Sequence, residues 1–508
     1  MCITCCILVD KMDNIHYDLC VIGGGINGVG IARDAAGRGL SVILVEANDL
    51  AGATSSASSK LIHGGLRYLE NYDFALVRKA LKEREILYKN SSNLIWPIEC
   101  ILPIDSKQRP EWFLRLGLWF YDRLGGKKSL PDSSFVKFSE DDVGKLLNKS
   151  FKSGFKYFDC QVDDTRLVIM NAVDAASRGA KILTYTKCEN LKIHNGHWQV
   201  SLKDTRSDDS IDISASMVVN ATGPWVGKFL DSVGIGKKDN DLPSVRLVKG
   251  SHIILPRMYE GNNAYVLQQE DGRIVFVAPY EGKYTLVGTT EEDYKGDPRD
   301  ANISDQEMSY LCDAYNSGFE KEISKSDVIF TFSGVRPLLD DGKDSASKVT
   351  REHLIYHHSR YEAPLLSLYG GKLTTYRAVA QDVVDRLMQI SGRVGVGWTA
   401  NVALAGSDFG DKSFNEYCSK QKSKYGWLPD VLFMRYARSY GAYMDYFLHR
   451  ATSLDDLGDH YGDNIYEAEV EYLKKYEWVS CAEDVIWRRS KLGLYISEKT
   501  LANIEASF

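Results

Sequence analysis

The sequence predicts an α/β protein: a discontinuous Rossmann-like nucleotide-binding domain, a β-rich domain set into it, and a C-terminal helical domain. Three observations lead there. Residues 17–46, YDLCVIGGGINGVGIARDAAGRGLSVILVE, read as buried strand, glycine turn, helix and second buried strand, one parallel crossover. The strand–glycine turn–helix pattern returns at 215–234 and again at 365–390. Between them, 245–290 carries period-2 apolar runs separated by turn residues, and beyond residue 401 the chain reads as aromatic-rich helices. The expected division is an extension at 1–14, a nucleotide domain over about 15–90, 150–245 and 330–400, an insertion over about 91–149 and 246–329, and helices from 401 to 508.

Taken in order, the first unit holds Gly23-x-Gly25-x-x-Gly28 directly after a strand, with Glu46 ending the next strand. Such glycines let the backbone turn and approach a pyrophosphate at the helix N-terminus, and the acid holds ribose hydroxyls. The motif alone leaves FAD and NAD both open. Thr54 to Ser59 are all Ser, Thr or Ala, a loop offering hydroxyls and amides without bulk. Residues 73–90 have helical apolar spacing and no glycine or proline. The segment 107–128, KQRPEWFLRLGLWFYDRLGGKK, sets six Lys and Arg against Glu111 and Asp122, a net +4, among interleaved aromatic and leucine residues. That suits a helix in a headgroup interface, and equally an amphipathic helix packed on its own protein. Residues 162–193 read as helix then strand, with a hairpin strand at 197–202.

Composition narrows the function. The 508 residues carry 62 Lys and Arg against 69 Asp and Glu, a net −7, which argues against nucleic acid as the main partner. No run of about 18 uncharged apolar residues is present, so no spanning helix is expected. The ten cysteines are scattered apart from Cys2, Cys5 and Cys6, and the opening lacks the basic flank of a signal peptide, which implies a reducing compartment. Cys2 and Cys5 stand at CxxC spacing, but no second ligand pair is spaced to complete a zinc site and no HExxH is present; no GxSxG elbow suggests a hydrolase.

ATSSASSKLIHGGLRYLE (53–70) closely resembles the aerobic, FAD-dependent, quinone-linked glycerol-3-phosphate dehydrogenases. VDDTRL (162–167), NATGPWV (220–226), LVKGSHIILP (247–256), YKGDP (294–298), SGVRPL (333–338) and GGKLTTYR (370–377) continue the resemblance in order. DLGDHYG, YEAEVEYL and EWV extend it into the C-terminal helices, so that it covers roughly 17–500. It implies an FAD-binding domain with a β-rich substrate domain of the D-amino-acid-oxidase/glutathione-reductase-like type. It also implies oxidation of sn-glycerol 3-phosphate to dihydroxyacetone phosphate, ubiquinone as acceptor, a homodimer, and a peripheral position on the cytoplasmic face of the inner membrane. A glycerol-3-phosphate oxidase making hydrogen peroxide, an amine or amino-acid oxidase of this fold, and a flavin-binding redox sensor without turnover remain alternatives.

For non-covalent FAD, the resemblance implies contacts from Gly23, Gly25, Ile26, Asn27, Gly28, Glu46 and Ala47 in the first unit. Thr54, Ser55, Ser58, Ser59, Leu61, Gly64 and Gly65 follow in the small-residue loop and the turn after it. Cys188, Ala221, Thr222, Gly223, Trp225, Gly334, Gly371, Lys372, Leu373 and Thr374 complete the set. A phosphate ester needs fixed cations, and Arg67, Arg336, Arg351 and Lys372 lie in or beside the motifs, with Tyr68 as a further donor. Oxidising a secondary alcohol requires hydride loss from carbon and proton loss from oxygen. Of ten histidines only His63 and His252 stand in strong motifs; either, or Lys372, suits the proton transfer.

Overall fold

The structure is a computed structural model that describes residues 15–105, 109–126, 128–236, 242–340 and 352–508. The 1–14 extension with Cys2, Cys5 and Cys6, and Arg351, lie outside the described residues.

The first sheet has a parallel centre. Strands Leu365–Gly370, Ser210–Asn220, His16–Ile22, Val42–Val45 and Lys181–Leu183 run side by side in that order. Val21 pairs with Leu44 on one side and Val219 on the other. These strands read as continuous apolar runs because both sheet faces are covered. Leu19, Val21, Val42 and Leu44 point to one face, into a core shared with helices α1 (Ile26–Gly37), α4 (Asp164–Ser177) and α7 (Tyr376–Ile390). Cys20, Ile22, Ile43 and Val45 point to the other, against Trp198, Val200 and Leu202 of an antiparallel meander over 186–220. Gly30 lets α1 lie close on α7: a Cβ there would sit 3.0 Å from the Tyr376 ring. The remaining helices before the C-terminal region are α2 (Phe74–Asn90), α3 (Glu111–Leu124), α5 (Val226–Ser232) and α6 (Asp305–Gly318).

A ten-stranded sheet forms the second layer. Its strands include Ile95–Pro103, Val245–Pro256, Ala264–Gln268, Ile274–Tyr280 and Tyr284–Gly288, the β-rich region expected from the sequence. Membership differs from the expected division at three places, the first being the short strand Leu61–Ile62, which pairs antiparallel with Ser153–Val162. Ser153–Val162 pairs antiparallel with Ile95–Pro103, and Phe330–Leu339 pairs with Val245–Pro256, so both belong to this sheet rather than to the nucleotide layer. Ser153–Val162 leaves the second sheet and feeds directly into α4 of the first layer, which hides the crossing in the sequence.

The C-terminal helices α8 (Phe414–Lys424), α9 (Asp430–Tyr440), α10 (Asp445–Leu448), α11 (Glu467–Tyr476) and α12 (Glu498–Glu505) build their own aromatic core. Ser413 and Glu416 close a capping box on α8, each side chain accepting from the other's backbone N–H. The region joins the rest through buried ion pairs. Arg166 on α4 meets Glu477 at 2.5 and 2.9 Å, and Arg489 meets Asp49 at 2.7 and 2.8 Å. Among the described residues no helix is long and apolar enough to cross a membrane.

Candidate functional site

A cavity of about 690 Å³ runs between the two sheets and is lined by segments from both. Its first wall is the turn between the strand His16–Ile22 and α1. Gly23 has φ +113°, and a Cβ there would lie 2.6 Å from the Ala221 carbonyl oxygen. A Cβ on Gly28 would lie 1.8 Å from the Gly23 oxygen, so this glycine serves backbone packing and does not itself line the cavity. Gly25, Ile26 and Asn27 face the space at the start of α1, where the helix dipole favours an anion. Glu46 lines the neighbouring wall, its carboxylate accepting from the Gly24 amide at 2.6 Å and the Asn48 amide at 2.9 Å. Burial pushes its carboxyl above the ordinary value. Ala47, Cys188, Ala221, Thr222, Gly223 and Trp225 continue this end.

The loop Thr54–Ser59 lines the cavity, but its hydroxyls are largely spent on holding the loop. Thr54 donates to the Val335 carbonyl at 2.7 Å, Ser56 to Ala53 and Ser58 to Asp164 at 2.6 Å. Ser55 Oγ accepts from the Ile26 amide at 3.0 Å, tying the loop to the start of α1. Asp164 also binds Lys60 at 2.7 Å, a fully buried pair beneath the loop. What the loop presents to a ligand is therefore a shaped, small-residue backbone. Leu61, Gly334, Gly371, Leu373 and Thr374 complete the wall.

The turn His63–Gly65 is held from both sides. Thr374 Oγ1 accepts from the His63 amide at 3.2 Å, and the Gly64 amide donates to Tyr121 OH at 2.7 Å. Tyr121, on the inner face of α3, donates in turn to Asp159, which pairs with Arg84 of α2 at 2.8 Å. Burial pushes the Asp159 carboxyl up against the pull of Arg84. Gly64 is packed against Leu81 and Tyr121 and does not line the cavity. Gly65 has φ +79°, and a Cβ there would strike the Tyr68 ring at 2.2 Å. Lys372 Nζ lies over that ring, 4.0 Å from its centroid.

Arg336 comes from the second sheet, while Arg67 and Lys372 reach the same cavity from the turns after Gly65 and Gly370. Arg336 donates to Thr289 Oγ1 at 3.3 Å and lies over Gly250, where a Cβ would come within 2.5 Å of the guanidinium. Arg67 stands 3.9 Å from the Glu291 carboxylate. His63, Arg67, Tyr68, Arg336 and Lys372 all line the one cavity. His252 does not. The strand Val245–Pro256 is buried from Val248 to Leu255, and His252 points from it into the wall. Its Nε2 meets Ser59 Oγ at 2.9 Å and its ring stacks on Phe332. Burial, with Arg336 and Lys60 nearby, pushes its pKa well below the ordinary histidine value, so it is neutral at physiological pH. Geometry thus separates His252 from the two other groups suggested for proton transfer.

Several lining groups have no counterpart among the sequence candidates: Arg109, Glu70, Gln268, Thr289, Glu291 and Phe276. Arg109 pairs with Glu70 and donates to Gln268 at 2.7 Å. In the sequence it belongs to the basic segment that suits a headgroup interface and packing on the protein equally, and it stands one residue before the Pro110 cap of α3.

The residues present fit an FAD. A glycine-walled dipole end, a carboxylate at the neighbouring strand end and a small-residue loop share one cavity, within the volume range of cofactor sites.

The family model described as FAD dependent oxidoreductase matches residues 18–377. The chain is 45% identical, over 94% of its length and 95% of the relative's, to the aerobic glycerol-3-phosphate dehydrogenase of Escherichia coli K12. It is 44% identical to the D-erythritol 1-phosphate dehydrogenase of Brucella abortus 2308, again over 95% of both chains. Among solved structures it is similar to the glycerol-3-phosphate dehydrogenase of Bacillus halodurans complexed with FAD. That match has a TM-score of 0.76 at 29% identity and covers 95% of this chain and 87% of that one.

Proposed function

The chain belongs to the FAD-dependent oxidoreductase family and, within it, to the glycerol-3-phosphate dehydrogenases, and from that premise we propose that it oxidises sn-glycerol 3-phosphate to dihydroxyacetone phosphate. The observation that carries the reading is the single cavity that joins a dinucleotide cradle to Arg67, Arg336 and Lys372. In this reading the first-sheet layer holds the cofactor and the second-sheet layer the substrate.

FAD, when bound, supplies the acceptor for the hydride that leaves C2. The protein does the rest. Arg336 and Arg67 grip the phosphate, the planar guanidinium offering two parallel donors to its oxygens. Tyr68 donates to a substrate oxygen, and Lys372, fixed over its ring, stabilises negative charge developing on the C2 oxygen. His63 takes the hydroxyl proton: it lines the cavity, and Thr374 holds its backbone at both the amide and the carbonyl.

The test is anaerobic mixing of the yellow holoenzyme with substrate. Glycerol 3-phosphate bleaches the flavin, and glycerol or an amino acid does not. D-erythritol 1-phosphate is the competing substrate, because a relative named for it shares 44% identity. A kcat/KM larger for the four-carbon ester than for glycerol 3-phosphate reassigns the substrate within the polyol phosphates. No bleaching by either overturns the reading.

The family supports ubiquinone as the acceptor, a peripheral site on the cytoplasmic face of the membrane, and a homodimer. Helix α3 is the membrane-facing element in this reading. Its inner residues Leu114, Leu118 and Tyr121 are buried, while Trp112 and Trp119 on its outer face are 66% and 49% exposed and Leu116 lies between them. Arg115 meets Glu111 and Lys128 meets Asp122 and Asp132, so these two cations are tied to acids while the tryptophans face outward. Replacing Trp112 and Trp119 together by Glu is expected to release most of the protein from vesicles in a flotation assay. Full retention would remove α3 as the anchor.

A further inference from the structure

Two residues one position apart face the two arginines of the phosphate clamp. Thr289 Oγ1 accepts from Arg336 at 3.3 Å, and the Glu291 carboxylate stands 3.9 Å from Arg67. Thr289 and Glu291 both line the cavity. Thr290, between them, does not. It is buried and turns inward, donating to the Glu307 carboxylate at 2.7 Å. Whatever fixes Thr290 therefore fixes the spacing of the two residues that meet the arginines.

Glu307 does more than cap its helix. It stands in the first turn of α6, where its Oε2 accepts from the Ser304 amide at 2.8 Å and closes a capping box. That contact satisfies the helix end. The other oxygen, Oε1, reaches away from α6 and accepts from the Thr290 hydroxyl and, at 2.8 Å, from the Ser251 hydroxyl. The Ser251 amide donates to Thr290 Oγ1 at 2.9 Å, so Glu307, Thr290 and Ser251 close a ring of hydrogen bonds. Ser251 follows Gly250, across which the Arg336 guanidinium lies, and meets Ser333 at 2.8 Å on the strand that carries Arg336. Lys249 Nζ, 2.8 Å from Glu307 Oε2, balances the buried charge. Burial pushes the Glu307 carboxyl up, but hydrogen bonds from Lys249, Ser304, Thr290 and Ser251 more than offset it and hold it below its ordinary value. The group is therefore ionised at physiological pH, which strengthens each of these bonds.

We propose that Glu307 is a positioning residue for the substrate phosphate: it touches neither substrate nor cofactor, and through Thr290 and Ser251 it sets the separation at which Arg336 and Arg67 meet one phosphate. The proposal rests on the glycerol-3-phosphate reading above. An unbraced arginine loses rotamer freedom when it binds, and that loss weakens affinity; one held in place beforehand avoids it.

The test severs the ring at Thr290 and leaves the helix cap and Lys249 intact. Thr290→Val keeps the shape of the side chain and removes its hydroxyl. It is expected to raise KM for glycerol 3-phosphate and the inhibition constant of dihydroxyacetone phosphate together, each about tenfold, with kcat within about twofold and FAD content unchanged. Thr290→Ser restores the hydroxyl and returns both constants to within about twofold of wild type. Should Thr290→Val fail to accumulate as holoenzyme, Glu307→Gln shows the same split, since Lys249 keeps Glu292 at 3.5 Å as a partner. A lower unfolding midpoint with both constants at wild-type values assigns the ring to the fold alone and overturns the proposal, as does a fall in kcat with KM unchanged. A wild-type flavin that glycerol 3-phosphate leaves unbleached overturns the proposed activity instead, before any variant is made.

Discussion

Replacing Arg336 by alanine is expected to lower kcat/KM for glycerol 3-phosphate about a hundred- to a thousandfold, with FAD content retained. The size follows from what the guanidinium does. Charge-assisted, bidentate contacts to phosphate are each worth about 1.5–3 kcal/mol, and a water-poor site offers no substitute, so about 3–4 kcal/mol is lost. The side chain is unusually well placed for this work. It projects from the strand Phe330–Leu339, its Nη2 is anchored on Thr289, and it lies across Gly250, where any other residue would push into it. The effect separates by variant. Arg336→Lys keeps the charge and loses the fork, so it recovers part of the affinity, and guanidinium added to the alanine variant restores part of the rate. FAD content, read from the visible spectrum, stays because Arg336 lies on the second-sheet side, away from the α1 cradle. An unchanged kcat/KM in the alanine variant removes Arg336 from the substrate site.

The same strand shows what a sequence conveys and what it withholds. The nucleotide cradle was legible because its demands are local: the Gly28 packing against Gly23 and the acid closing the next strand lie within one crossover, and backbone crowding admits only glycine there. Sheet membership of Phe330–Leu339 was not, since its partners lie about eighty residues upstream and antiparallel pairing leaves no mark on composition. The serine loop was found for a reason only half complete. Its small size matters, while Thr54, Ser56 and Ser58 turn their hydroxyls to the protein. His252 stood in a strong motif, yet motif membership says nothing about which side of a buried strand a residue occupies; here it faces Ser59 rather than the cavity. Helix α3 carries apolar residues on two faces, so periodicity alone did not choose between packing and exposure, and the structure has both.

Replacing Glu477 by alanine is expected to cost about 3–5 kcal/mol of stability. Glu477 and Arg166 are both fully buried, joined by two hydrogen bonds at 2.5 and 2.9 Å. Burial works against the charge on Arg166, and Glu477 more than offsets it, holding the guanidinium above its ordinary pKa. Removing the carboxylate leaves that cation in a dry interior beside Arg489, whose Nε stands 3.8 Å from the same carboxylate. The consequence reaches the cofactor. Arg489 binds Asp49, in the loop that follows Glu46 and lines the dinucleotide end of the cavity through Ala47, Asn48, Ala51 and Gly52. Loosening the helical region therefore loosens the loop, and FAD affinity falls along with the unfolding midpoint in denaturant. Exchanging both partners, Arg166→Met with Glu477→Leu, removes the stranded charge as well as the pair and recovers most of the stability. Equal losses in the single and the double variant would show that the pair acts through its shape alone and that its charge contributes nothing.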